Sequence, residues 1–286
     1  MASPREIRRR IRSVRNMAQI TRAMEMVSAA KMRRAQQRVL ASRPYSDRLQ
    51  AVIADLASLN VEGEEASFPL LDKREVKRAA VILITPDRGL TGSLNSNLIR
   101  RASRYVLSEA NVPVEIIAAG KKGRDFMVRT RQDVAAEFIG LGENVSLEDV
   151  GPIAQVALDD FTSGKVDAVY VVFARFVNTL SQVPEVRQIL PIEKPEKSGT
   201  YTDYIFEPNP RVVLEALLPR FVEIQIYQAM LEGIASEHSA RMVAMRNASE
   251  NAKELSDELS LSYNKARQAQ ITREVSEIAA GANALG

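Results

Sequence analysis

The sequence predicts an α/β fold in which two long terminal helices pair as an antiparallel coiled coil, with a small parallel-sheet domain inserted between them. Three observations predict it. No glycine or proline falls between Arg5 and Arg43. Beyond Pro210, Pro219 is the only proline and Gly233 the only glycine before Gly281. Between these two stretches lie short, wholly apolar runs of the kind that fill buried strands.

The first helix has a legible start. Ser3 can cap it, Pro4 takes the first helical position, and Glu6 completes a capping box. Ile7, Ile11, Val14, Met17, Ile20, Met24 and Val27 then recur at steps of three and four, a narrow apolar stripe on one face. Pro44 is expected to kink or interrupt the helix, and periodicity resumes through Leu49, Ile53, Leu56 and Leu59 before Gly63 and Pro69. Asn209 and Pro210 open the second long helix, whose stripe runs through Leu214, Leu217, Phe221, Ile224, Leu231, Met242, Met245, Ala252, Leu255, Leu259 and Ala266.

Length forces the pairing. A helix unbroken from 210 to 280 is roughly 105 Å long at about 1.5 Å per residue. A globule of this chain length has a radius of gyration of about 19 Å. The helix must therefore project as a rod, and its stripe needs a partner, because propensity alone does not hold a lone helix in water. The first helix is that partner. Small residues near the expected seam (Ala23, Ser28, Ala29; Ala248, Ser249, Ala252) allow close approach. The final helix is the longer, so its tail should run past the N-terminus with few intramolecular contacts. The expected divisions are 1–60 for the first helix, 61–208 for the central domain and 209–286 for the last helix.

In the middle, 79–85, 114–119 and 167–174 read as strands, with helical stretches between them. This β-α-β alternation implies a small Rossmann-like parallel sheet with helices on both faces. Residues 173–191 add a possible antiparallel hairpin at its edge. The loop at 86–93 follows the first strand, where α/β enzymes bind phosphate, yet it is neither GxGxxG nor GxxxxGK[ST]. It reads as a tight turn with a helix cap. The Gly120–Gly123 loop carries Lys121 and Lys122 and reads as a solvated turn.

Composition excludes several classes. Cysteine is absent, so there are no disulfides and no thiolate chemistry. The single histidine, His238, cannot build a histidine-rich metal site and falls on the last helix, where it reads as a satisfied interfacial residue. No apolar run spans a membrane. No catalytic constellation emerges and no cofactor is implied. Net charge is only +3, but residues 1–43 hold twelve basic and two acidic side chains, a net of +10, leaving −7 on the rest. A basic arm of this kind suits solvent or an acidic partner.

Several long motifs resemble one family. Ile20–Met32 (ITRAMEMVSAAKM) resembles the N-terminal signature of the gamma subunit of F-type ATP synthase, of bacterial type. Asp87–Gly92 (DRGLTG) resembles that family's central loop, and Ser236–Ala248 (SEHSARMVAMRNA) and Tyr263–Glu274 (YNKARQAQITRE) its C-terminal helix. The resemblance implies a non-catalytic rotor shaft. Its coiled coil would stand inside a ring of alpha and beta subunits, and its α/β domain would sit with the epsilon subunit on a membrane c-ring. Proton flow would turn the shaft and drive catalysis on the beta subunits. By this resemblance Met24, Arg267, Gln268, Thr272 and Glu274 match rotor–stator contacts, and Tyr204 and Glu207 match the foot that touches the c-ring. It also implies a place on the cytoplasmic face of a bacterial plasma membrane, held there by the complex. The absence of cysteine excludes the thiol control of plant-type chains, and no transit-peptide pattern precedes Ser3. Two other classes stay open on residues alone: a nucleotide-using α/β enzyme with helical arms, and a nucleic-acid binder using the basic arm. Against the latter, Arg5, Arg8, Arg9, Arg10, Arg12 and Arg15 circle the helix, and no aromatic residue lies within 1–43.

Overall fold

The computed structural model describes residues 3–58, 68–193 and 207–285. Two helices carry the ends of the chain, α1 (Pro4–Ser58) and α5 (Pro210–Leu285). Their starts follow the sequence signals. The Ser3 amide donates to Glu6 at 3.0 Å while the Glu6 amide donates to the Ser3 hydroxyl at 3.3 Å, a reciprocal capping box. The Asn209 side chain accepts the Val212 amide at 3.0 Å.

Pro44 does not interrupt α1, which runs through it. An internal proline costs about 3 kcal/mol through its missing N–H and a steric clash. Beyond it, Leu49, Ile53 and Leu56 are all buried. Each buried side chain of that size is worth about 1.5–3 kcal/mol, so tertiary packing outweighs the local penalty. The expected positions Leu59 and Gly63 lie outside the described residues.

The chain divides into two compact units, Met1–Ser28 with Arg241–Gly286, and Ala29–Ala240. Both long helices contribute to both. In the first unit the two helix segments pair. Ile7 and Ile11 are buried there with Met242 and Met245. The Ser249 hydroxyl donates across the pair to the Ala18 carbonyl at 3.3 Å, which shows how closely the backbones approach.

The second unit is built on a five-stranded sheet. Its strands are β1 (Ala79–Ile84), β2 (Val114–Ala119), β3 (Asp133–Phe138), β4 (Ala168–Phe176) and β5 (Gln182–Leu190), in the order β3-β2-β1-β4-β5. All neighbours are parallel except β4 and β5, which form the antiparallel edge hairpin. β3 was not expected. It is an edge strand of alternating exposed and half-buried residues, with two alanines and two acids among its six, so it lacks the apolar run that betrays a buried strand.

Alternation sends the two halves of β1 to opposite faces. Val81 and Leu83 pack with α2 (Leu94–Arg104), a π-helical turn (Tyr105–Glu109) and α3 (Lys121–Arg129). Ala80, Ile82 and Ile84 pack with α4 (Leu147–Thr162), the end of α1 and the first turns of α5. Ser146 caps α4 through a second capping box with Asp149, and the hydrogen bonds from Ser146 hold the Asp149 carboxyl below its usual range.

Gly120 closes the turn from β2 into α3 with φ +120°, and a Cβ there would lie 1.8 Å from the Thr85 carbonyl oxygen. Gly120→Ala is therefore expected to destabilise the fold by about 3 kcal/mol or more, measured by denaturant unfolding. Ser146→Ala should cost about 1 kcal/mol. The Asp149 contribution is present above the ordinary carboxylate range and fades as pH falls through its lowered value. Asp149→Asn should therefore flatten the acid limb of stability, and an unchanged acid limb would count against the cap.

Candidate functional site

The seam of the first unit differs from the stripe read in the sequence. Ile7 and Ile11 lie on it and Val14 is half-buried, but Met17, Ile20 and Val27 are more than half exposed. Between Val14 and Ser28 the buried positions of α1 are instead Thr21, Glu25 and Ser28. On α5, Met242 and Met245 keep their places, Ala252, Leu259 and Ala266 are half-buried, and Leu255 turns outward beside a buried Ser256. The physical reason is that α1 carries two overlapping faces. Its polar one is closed by partners on α5, and its apolar one is left outward.

Glu25 is the centre of that polar seam. Its side chain is 7% exposed and meets Arg22 at 2.8 Å and Arg246 of α5 at 3.1 Å. Thr21 returns its hydroxyl to the Met17 carbonyl at 3.0 Å, and the Arg15 guanidinium donates to Ser256 at 3.3 Å. A buried carboxylate costs several kcal/mol to desolvate and is tolerable only when paired. The pair fixes which turn of α5 faces which turn of α1. Nothing in the periodicity flagged it; an acid four residues after Thr21 on a small-residue face was the available signal.

Met24 is half-buried beside the outward Ile20 and Val27. Arg267, Gln268, Thr272 and Glu274 lie on α5 and are all exposed, as is every residue from Arg267 to Ala280. Gln270 donates to Glu274 at 2.8 Å along the helix. Ile271, Val275 and Ile278 form an exposed apolar stripe at steps of four and three on this stretch, missed in the sequence reading because it lies past the pairing seam. Met24 and the C-terminal set belong to one unit, Glu207 to the other, where it is exposed; Tyr204 lies outside the described residues.

Open α/β sheets take ligands at the carboxyl ends of their strands. A cavity of about 220 Å³ lies there, with Ile84, Phe138, Leu141, Met230 and Ile234 among its lining residues. The anion position at the N-terminus of α3 is filled by the chain itself. One Asp87 carboxylate oxygen accepts the Lys121 amide at 2.7 Å and the other the Gly140 amide at 2.9 Å. A phosphate would have to displace a carboxylate held by two backbone amides. The 86–93 loop makes no side-chain cap on α2, which follows it; its Asp87 instead accepts an amide at the start of α3.

Two further acids stand out, Glu115 buried and Glu232 half-buried. Glu115, 1% exposed, is pushed upward in pKa by burial, against the pull of Lys165 at 3.1 Å; Arg78 lies at 3.4 Å. Glu232 on α5 is also raised by burial, and it accepts the Phe176 amide at 3.3 Å. His238 is buried, with Nε2 3.9 Å from Glu143, whose other oxygen takes Lys31 at 2.6 Å. Among the described residues no group of three or more His, Asp or Glu is placed to hold a metal, and no helix is long and apolar enough to cross a membrane.

A family model described as ATP synthase matches residues 3–285. Over 289 aligned residues the chain is 59% identical to the ATP synthase gamma chain of Roseiflexus castenholzii, covering all of this chain and 99% of that one. The chain belongs to the ATP synthase gamma-chain family. The gamma chain of Dehalococcoides mccartyi is 52% identical over the full length of both. Membership makes this a non-catalytic subunit of its complex. The fold is also that of a chain in the Euglena gracilis mitochondrial ATP synthase, with a TM-score of 0.69 at 21% identity over 99% of this chain and 94% of that one. A chain from the central stalk and c-ring of the Tetrahymena thermophila enzyme gives 0.61 at 24% identity, over 80% and 99%.

The Glu25 cluster makes a stability prediction. Arg246→Ala leaves Arg22 in place, and both arginines are solvent-exposed, so the loss should be about 1 kcal/mol. Arg22→Ala with Arg246→Ala strands a buried charge and should cost about 3 kcal/mol. Thermal unfolding of both variants reads the difference, and additive small losses would show that the seam does not need the pair.

Proposed function

We propose that the chain is the central-stalk rotor of a proton-translocating F-type ATP synthase, carrying torque between a membrane c-ring and a catalytic alpha/beta head. The observation that carries this reading is the bare end of α5. From Arg267 to Ala280 the helix has no cover from the rest of the described chain, yet it bears Ile271, Val275 and Ile278 on one face. An apolar stripe on an uncovered helix calls for a surrounding partner. Outward Met17, Ile20 and Val27 present a second such surface on α1.

In this reading Met24, Arg267, Gln268, Thr272 and Glu274 meet the alpha/beta head. Their polar groups suit contacts that are broken and remade at each step, because exposed hydrogen bonds exchange readily with water. Tyr204 and Glu207 form the foot on the c-ring, beside the epsilon subunit. The working divisions are 1–60 and 209–286 for the shaft and 61–208 for the domain at the foot. The complex holds the chain at the cytoplasmic face of a bacterial plasma membrane. Asp87 supports a passive role for the sheet unit, since it occupies the anion position an enzyme of this fold would use.

Co-expression with candidate alpha and beta chains tests the reading. A stable complex with ATPase activity absent from the isolated chain is expected, and tight ATP binding or turnover by the isolated chain would overturn it. Removing the last ten or so residues should weaken coupling without preventing assembly, because the pairing seam lies deeper. Loss of assembly on that truncation would contradict it. Met24→Lys should leave unfolding within about 0.5 kcal/mol of the parent, as for most partly exposed sites, while lowering proton-driven ATP synthesis.

A further inference from the structure

The sheet unit contains a polar joint between β4 and α5 that packing alone does not require. β1 pairs with β4 only as far as Leu83 opposite Val172, while β4 runs on to Phe176. Past that point the β1-side edge of β4 has no strand neighbour. Side chains of α5 take its place. Ser236, fully buried, donates to the Ala174 carbonyl at 2.9 Å, and Glu232 accepts the Phe176 amide at 3.3 Å. One turn on, Ser239, also fully buried, donates to the Thr179 carbonyl at 2.7 Å in the turn of the β4–β5 hairpin. That turn is itself stiffened, since the Asn178 side chain accepts the Leu180 and Ser181 amides, each at 2.9 Å.

We infer that Glu232, Ser236 and Ser239 are the joint through which twisting load passes between helix α5 and the sheet. The inference rests on the rotor reading above. Apolar burial is non-directional, so the surrounding contacts hold α5 against the sheet but resist rotation about its own axis only weakly. Hydrogen bonds lose strength steeply when misaligned. Three of them, at positions i, i+4 and i+7, key one face of α5 to backbone groups that cannot move without the sheet. These are positioning residues; they touch no substrate. Buried serine is also a costly choice for mere packing, since alanine fills nearly the same space with better helix propensity.

The test uses the full complex, with alpha, beta and epsilon chains and the c-ring, in proton-loaded vesicles and in single-molecule rotation. The cysteine-free chain allows a bead to be attached at a cysteine introduced at Lys121, on the sheet unit. With the head immobilised and stalled, angular fluctuation of the bead reads the compliance of the joint. Ser236→Ala with Ser239→Ala removes two of three directional links and should widen the angular variance by up to about threefold if the links share the load equally. Proton-driven ATP synthesis should fall while hydrolysis by the detached head stays at the parent rate. Ser239→Ala alone, a milder change that keeps the buried Ser236 bond, should give a smaller widening, and Ser236→Thr, which keeps the donor, should restore the parent value. Unchanged variance in a Ser239→Ala or double variant that assembles normally overturns the joint. A parent complex that assembles but shows no rotation overturns the rotor reading instead.

Discussion

Everything in the sheet unit depends on how closely α5 lies against the end of β1. A Cβ placed on Gly233 would come within 3.3 Å of the Ile84 side chain. That approach lets Phe221, Val222, Ile226, Ala229 and Met230 share one core with Ile82, Ile84, Val171 and Phe173. The same approach brings the next turn of α5 into hydrogen-bonding reach of β4. A Cβ at 233 would require the Ile84 side chain to give by a few tenths of an ångström, so the site favours the smallest residue. The apolar core supplies adhesion, and the hydrogen bonds beside it supply orientation.

Along the same helix the balance of forces changes. Within the sheet unit, α5 is held by a continuous apolar surface. In the pair with α1, buried Ile7, Ile11, Met242 and Met245 share the seam with the Glu25–Arg246 ion pair. Past Ala266 the described residues show no cover at all. Cover on α5 is therefore least past Ala266. For a helix fixed at one end and working against a partner at the other, this arrangement is physically sensible. Strong burial at the far end would compete with any surface that must slide over it.

Much of this was legible in the sequence, and the gaps have physical causes. Helix starts were readable because caps are local: Ser3 with Glu6, and Asn209 before Pro210. Strands β1, β2 and β4 were readable because a strand covered on both faces is dominated by apolar residues, the paired Glu115 of β2 being the exception. β3 was not, because an edge strand with one open side has no such need. The α1 stripe misled for a different reason. Met17, Ile20 and Val27 are apolar at helical spacing, a pattern that marks one helix face without saying what covers it. The true seam through Thr21, Glu25 and Ser28 looks like solvent-facing surface until Arg246 is brought to it from 221 residues away. Of the candidate contacts, Met24 and the Arg267–Glu274 set came from long motifs rather than from spacing. The Arg267–Glu274 set is exposed on α5, while Met24 is half-buried on α1.

Asp87 shows how a fold that commonly binds nucleotides becomes a structural part. A helix N-terminus at the end of a parallel strand favours an anion, and exposed amides there are costly to leave without a partner. The chain satisfies them with its own carboxylate, donating from Lys121 and Gly140 to one side chain. This links the end of β1 to the starts of two other segments and does so without a diffusible ligand. A site filled by phosphate would tighten and loosen with nucleotide concentration. A side chain fixed in sequence holds the turn at constant stiffness, which a load-bearing domain needs and a catalytic one does not.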